Sequence, residues 1–412
     1  MRWDTTVDLR GPALHPSPFD RLVEQMRQHD QRENQHMAQK DVGPGRFHSL
    51  DALRGIAALA VVFWHWQHFF FEGSSLPKDF KQAQMLPMFD VLRIFYERGW
   101  LAVDLFFSLS GFIFFWLYAD AINARRVSGQ KYFILRFSRL YPLHLFTLLA
   151  VALEQIIYSS IKGNDFVYQL NDLRHFVLNL VLLPSVGLER GYSFNAPIWS
   201  VSVEVVLYTA FFTLCRVQRP RLPVLIGITF AAFVLDFYNP VQRGCKSFFL
   251  GGCLFYLYQI LSGSRHARKT TSILAAVTTV MWIATIVLFY LGLGRQKFVV
   301  AVLFPCTILS LAMIEKTRRT FLSELSFLGD ISYSSYLLHF PLQILFALVA
   351  VGLGVGEEFF SSGFTMAVFF VVLIGASQAS YHWLEMPAQQ YLRGRLLSRS
   401  PEAAPGPSAG PP

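Results

Sequence analysis

Ten stretches of mostly apolar residues, each near the length a helix needs to cross a bilayer, recur along this chain of 412 residues: 49–71, 99–120, 139–160, 197–215, 222–237, 244–261, 271–293, 298–315, 331–352 and 363–384. A spanning helix takes about 20 such residues, fewer where neighbouring helices shelter its ends. An eleventh apolar stretch, 174–186, is too short to cross and reads as an interfacial or re-entrant helix. Only 15% of the residues are charged and 53% are hydrophobic. A soluble domain carries roughly a quarter charged, so a water-facing surface cannot be built from this composition. The expected fold is all-α, a polytopic membrane bundle of about ten helices. Around it lie a polar cytoplasmic tail (1–48, with a surface helix near 19–40), the membrane domain (49–390) and a disordered cytoplasmic tail (391–412), rich in Pro, Ala, Ser and Gly from 397.

Placement of charge sets the expected orientation. With the N-terminus inside, the inside pieces hold 24 Lys and Arg and the outside loops 11; Arg54, within the first span, completes the 36. That bias predicts an N-in, C-in protein. The net charge of +9 is spread between apolar runs and not along one stripe, which argues against a nucleic-acid partner. The four cysteines show no metal-ligand spacing and read as packing residues, and no metal site is expected. The first 20 residues contain no h-region of a cleavable signal peptide.

Ionisable groups inside spans cost about 2.5–3.5 kcal/mol each on insertion scales, so those that persist need a reason. The first span, LDALRGIAALAVVFWHWQHFF, holds Asp51, Arg54, His65 and His68. Arg54 and His65 are eleven residues apart, three helical turns plus about 20°, and so share a face. Asp51 precedes Arg54 by one turn and can pair with it. Arg54 could equally snorkel to the interface, and His65 could be a core histidine; His68 reads as interfacial. By depth, Asp104 of the second span and Glu204 of the fourth fall in the layer of His65. A carboxylate beside an imidazole suits a general base, but both acids could also serve only as hydrogen-bond partners of neighbouring helices. Arg136 and Arg139, one turn apart in KYFILRFSRLYPLH, can fork onto phosphate or act as ordinary inner-surface anchors. His339, followed by Pro341 in the ninth span, is a further candidate for chemistry or a satisfied core residue.

Six segments in order across residues 47–390 then carry a resemblance: FHSLDALRGIAALAVVFWHW, GWLAVDLFFSLSGF, RFSRLYP, NAPIWSVSVE, LGDISYSSYLLHFPL and SYHWLEMP. Together they resemble the acyltransferase-3 family of multi-spanning membrane O-acyltransferases. The resemblance implies transfer of an acyl group, usually acetyl, from cytoplasmic acyl-CoA to a hydroxyl of a cell-surface glycan or lipid-linked sugar, or sometimes of a small natural product. It implies a multi-pass protein of the plasma membrane, as in the bacterial inner membrane, with acyl-CoA (acetyl-CoA above all) as co-substrate and no bound cofactor. Arg54 and His65 match the family's functional pair, Arg136 and Arg139 its pair associated with acyl-CoA, and Glu204 the acid of a Trp-Ser-Leu-like motif in which Val201 replaces the Leu. The family's optional extracellular hydrolase-like domain is not expected here. The rival class is a proton-coupled transporter or flippase, which buried His, Arg and carboxylates would also serve. No matching Gly/Pro-interrupted segments mark two repeat halves, the usual sign of such carriers. A catalytically silent partner of a glycan synthase is the third reading.

Overall fold

In the computed structural model, residues 45–235 and 239–397 are described; the expected surface helix at 19–40 and the last residues of the C-terminal tail lie outside them. In chain order the helices are α1 (His48–His65), α2 (Phe89–Arg98), α3 (Ala102–Asn123), α4 (Gly129–Lys162), α5 (Leu173–Leu180), α6 (Trp199–Val217) and α7 (Leu222–Val234). They continue as α8 (Pro240–Ser262), α9 (Ala267–Tyr290), α10 (Phe304–Thr317), α11 (Ser326–Asp330), α12 (Ser332–Gly352), α13 (Gly363–Ser380) and α14 (Met386–Leu397). Among the described residues there is no strand, only an isolated bridge between Glu72 and Ser75. All ten predicted spans are helical over most of their length, and the short stretch at 174–186 is α5 with a following turn. The helix α14 runs past residue 391, where the disordered tail was expected to start.

Among the described residues, seven helical segments are long and apolar enough to cross a membrane by length and composition. The remaining predicted spans, α1, α7 and α8, differ for visible reasons: α7 has 13 residues, α1 carries Asp51 and Arg54, and α8 carries Arg243 and Lys246. The outer surface is that of a protein in lipid. Ile273, Val277, Val280, Ile283 and Val287 stand exposed along α9, an apolar face far too long for a water-soluble monomer. The chain is a multi-pass membrane protein.

Where lipid tails offer no hydrophobic drive between helices, close packing does the work, and small residues allow it. The crossing of α3 and α8 shows this twice. A Cβ on Gly111 would lie 1.8 Å from the Phe248 carbonyl oxygen, and one on Gly251 would lie 2.0 Å from that of Ser108. Backbone therefore meets backbone, and only glycine fits. The same device brings α1 against α11: a Cβ on Gly55 would strike the Leu328 backbone, and one on Gly329 would lie 2.4 Å from the Asp51 carbonyl oxygen. That approach puts Arg54 within reach of the chain between α11 and α12.

The first turn of α1 has orphan N–H groups that need acceptors. Buried Glu315 of α10 supplies them, accepting from the N–H of His48 (2.6 Å), the N–H of Ser49 (2.9 Å) and the Ser49 hydroxyl (2.5 Å). On α12, Pro341 has no N–H for the Leu337 carbonyl one turn back. The side-chain amide of Asn195 donates to that oxygen instead, at 2.9 Å. Glu315 thus ties α1 to α10, and Asn195 ties the segment before α6 to α12.

Candidate active site

A cavity of about 250 Å³ lies between α1, α3, α4, α6 and α12. Asp51 and Arg54 enter it from α1, Ser110 from α3, Arg136 and Arg139 from α4, Glu204 and Tyr208 from α6, and Tyr333 and Tyr336 from α12. Arg54 is locked. Its guanidinium lies 2.8 Å from Asp51, donates to the Gly329 carbonyl at 2.8 Å and to the Ser332 hydroxyl at 3.0 Å. The one-turn pairing of Asp51 with Arg54 expected from sequence is present. Arg136 is held differently, donating to the Tyr118 hydroxyl at 2.7 Å while its plane lies 5.2 Å from the Phe114 ring centre and 5.1 Å from that of Tyr118. Its buried Nε has no acceptor among the described residues. Arg139 is exposed and near enough to Glu204 and Glu385 to act on both electrostatically. Glu204 accepts a hydrogen bond from Ser110 at 3.0 Å.

The histidines form a second group, on the far side of Tyr336. His65, at the end of α1, is 6% exposed, and His339 of α12 is 0% exposed. Their rings stack with centroids 4.7 Å apart, and Nε2 of His339 lies 3.1 Å from Nδ1 of His65. The Nδ1 of His339 lies 2.7 Å from the Tyr336 carbonyl. Gln343, one turn further along α12, donates to the His65 carbonyl at 2.8 Å and lies 3.1 Å from Nδ1 of His68. His68 is thus buried and joined to the pair, where the sequence placed it at the interface. Although three histidines meet here, no trio of His, Cys, Asp or Glu among the described residues is arranged as metal ligands.

The eleven-residue spacing does put Arg54 and His65 against one helix: Arg54 meets Ser332 and His65 meets His339, both on α12. The expected layer of one imidazole and two carboxylates is not what forms. Asp104 pairs with Arg243 of α8, whose Nη2 and Nε approach one carboxylate oxygen at 2.7 and 3.1 Å, and Ser247 donates to the other at 3.2 Å. Glu204 lies with the arginines. Depth along a helix axis cannot tell which neighbour a side chain turns toward, and Arg243, counted as a loop charge, captures the nearer acid. Gln343 sits four residues after His339 and so on the same helical face, the one signal in the sequence that marks it as part of this group. The tyrosines 208, 333 and 336 carried no signal, since tyrosine is common at both ends of membrane helices.

A multi-pass helical membrane protein with a sheltered cavity, two cationic side chains left open in it and a histidine pair beyond it has the parts of a membrane-embedded transfer enzyme. The chain belongs to the acyltransferase-3 family: the family model described as an acyltransferase domain matches residues 47–386. It is a membrane O-acyltransferase. It is 26% identical over 324 residues to a putative acetyltransferase, ORF330, of Acidianus two-tailed virus, covering 74% of this chain and 86% of that one. It is 27% identical over 181 residues to protein 2 in the picA locus of Rhizobium radiobacter, covering 41% and 82%. A third similarity, 32% over 185 residues, is to the acyltransferase MdmB of Streptomyces mycarofaciens, covering 43% and 41%. No solved structure matches the chain.

Proposed function

We propose that the enzyme takes an acyl group, acetyl above all, from cytoplasmic acyl-CoA and transfers it to a hydroxyl of a surface glycan or lipid-linked sugar. The observation that carries this reading is the pair of arginines on α4. Arg54 has a carboxylate partner, whereas Arg136 keeps an unpartnered buried Nε and Arg139 faces the cavity mouth free of an ion-pair partner among the described residues. Guanidinium groups left in this state suit the phosphates of an anionic donor. The Lys and Arg bias supports a cytoplasmic position for this end of α4, and in this reading the membrane is a plasma membrane, such as a bacterial inner membrane. The relative named a putative acetyltransferase supports the acetyl preference.

In this reading Arg136 and Arg139 hold the nucleotide end while the pantetheine arm passes Tyr336 toward His65. His65 takes the proton of the acceptor hydroxyl as its oxygen attacks the thioester carbonyl. The C–O bond forms, the C–S bond breaks, and the proton passes from His65 to the sulfur, releasing CoA as its thiol. A covalent acyl-histidine is the other route to the same products.

The test is radiolabelled acetyl-CoA added to membranes holding wild-type or His65→Ala protein at equal abundance. Label is expected in the glycan or lipid-linked sugar fraction with wild type and lost by at least about 100-fold with the variant. Full activity in His65→Ala overturns the reading, as does accumulation of an unmodified solute with no acylated product. Arg136→Ala together with Arg139→Ala should raise the KM for acetyl-CoA by about tenfold or more, given that hydrogen bonds to charged groups are worth about 1.5–3 kcal/mol.

A further inference from the structure

We propose that His339 is the positioning residue of His65, selecting its tautomer through an imidazole relay that uses no carboxylate. The proposal rests on the reading of His65 as the base. A backbone carbonyl can only accept, so the 2.7 Å contact to the Tyr336 oxygen requires a proton on Nδ1 of His339. A neutral imidazole protonated there offers Nε2 as an acceptor. That Nε2 lies 3.1 Å from Nδ1 of His65, which must therefore donate. The remaining nitrogen of His65, Nε2, is left with its lone pair, the form a general base needs.

The opposite direction requires both nitrogens of His339 to carry protons, an imidazolium sealed 0% exposed inside the bundle. Nothing there would balance it. The titratable groups that face the pair are His68 from the turn after α1 and Tyr336 from α12. Among the described residues, no Asp, Glu, Lys or Arg hydrogen-bonds to either ring, since Asp104 is held by Arg243 and Glu204 by Ser110.

The frame around the relay is rigid at three points. Gln343 donates to the His65 carbonyl, the same amide receives Nδ1–H of His68, and Asn195 restores the bond that Pro341 removes one turn before it. When His65 takes the acceptor proton at Nε2, its Nδ1–H stays donated to His339. The transient charge on His65 is steadied by that hydrogen bond, without any buried carboxylate having been desolvated. The proton leaves for the CoA sulfur as the C–S bond breaks, and the relay returns to its starting state.

Three variants in membranes at equal abundance and one spectrum test this. His339→Leu removes the acceptor and should lower kcat roughly 10- to 100-fold with KM for acetyl-CoA unchanged, the usual effect of losing an orienting partner. His339→Gln places an amide oxygen where Nε2 was and should recover most of kcat. Solid-state 15N NMR of histidine-labelled protein in lipid, with His65→Asn for assignment, should show His65 protonated at Nδ1 and bare at Nε2. Equal loss in the Leu and Gln variants, full activity in the Leu variant, or a proton on Nε2 of wild-type His65 overturns the proposal. The spectrum reports the tautomer whether or not His65 is the base, so an active His65→Ala variant removes the base and leaves the relay judged on the spectrum alone.

Discussion

Asp104 and Arg243 face each other across the α3–α8 crossing, with two guanidinium nitrogens 2.7 and 3.1 Å from the same carboxylate oxygen. Asp104 is 2% exposed, and Arg243 lies between the rings of Trp100 and Trp199, 4.8 and 5.3 Å from their centres. Breaking a buried pair by removing one partner costs about 3–5 kcal/mol, because the other charge stays buried alone. Arg243→Leu should therefore destabilise the protein by that order, whereas Asp104→Asn combined with Arg243→Leu should recover part of the loss. Thermal unfolding of detergent-solubilised protein, followed by fluorescence size-exclusion, checks both. A single variant as stable as wild type would show that the pair does not hold the crossing.

The two glycines beside that pair lead to a sharper contrast. Gly111→Ala and Gly251→Ala each put a methyl group into opposing backbone, which has no rotamer to yield. Each is expected to abolish folded protein. Gly227 of α7 has nothing within 4 Å of the same added carbon, so Gly227→Ala should be neutral or stabilising, by up to about 1 kcal/mol from helix propensity. Yield of monodisperse protein from membranes separates the two outcomes.

Glu315 ties the start of α1 to α10. Replacing it with Ala orphans the N–H groups of His48 and Ser49 in a buried setting, a cost of about 1–3 kcal/mol for each group left without an acceptor. Activity should fall as well, because Arg54 and His65 ride on the same helix. Glu315→Gln keeps one oxygen acceptor and is expected to lie between Ala and wild type in melting temperature. Equal melting of all three would rule out the clasp.

Asp172 caps α5 outside the membrane helices. Its carboxylate accepts from the His175 N–H at 2.9 Å and from Nδ1 of His175 at 2.7 Å, and these bonds hold its carboxyl below the usual value. An acid with a lowered native pKa contributes stability that is fully present above its unfolded value, about 3.9, and is lost as pH falls through the native one. Hydrogen exchange across 173–180, corrected for intrinsic rate, should accelerate below about pH 4, and Asp172→Ala should show the faster exchange already at neutral pH. Protection that ignores both changes would show that the cap does not hold α5.

The division between what could and could not be read beforehand follows one line. Apolar length, the turn-spaced Asp51 and Arg54, and the shared face of Arg54 and His65 are properties of a single helix. They follow from its pitch and from the cost of a charge in lipid, so the sequence by itself determined an all-helical membrane protein with its family motifs. Which helices meet was decided only in three dimensions, by glycine contacts between segments more than a hundred residues apart, such as Gly111 with Phe248. The partners of the buried groups went with that choice. Asp104 found Arg243 and His65 found His339, because a side chain's hydrogen bonds depend on the neighbour that packing brings within 3 Å, and no periodicity along one helix encodes the face of another.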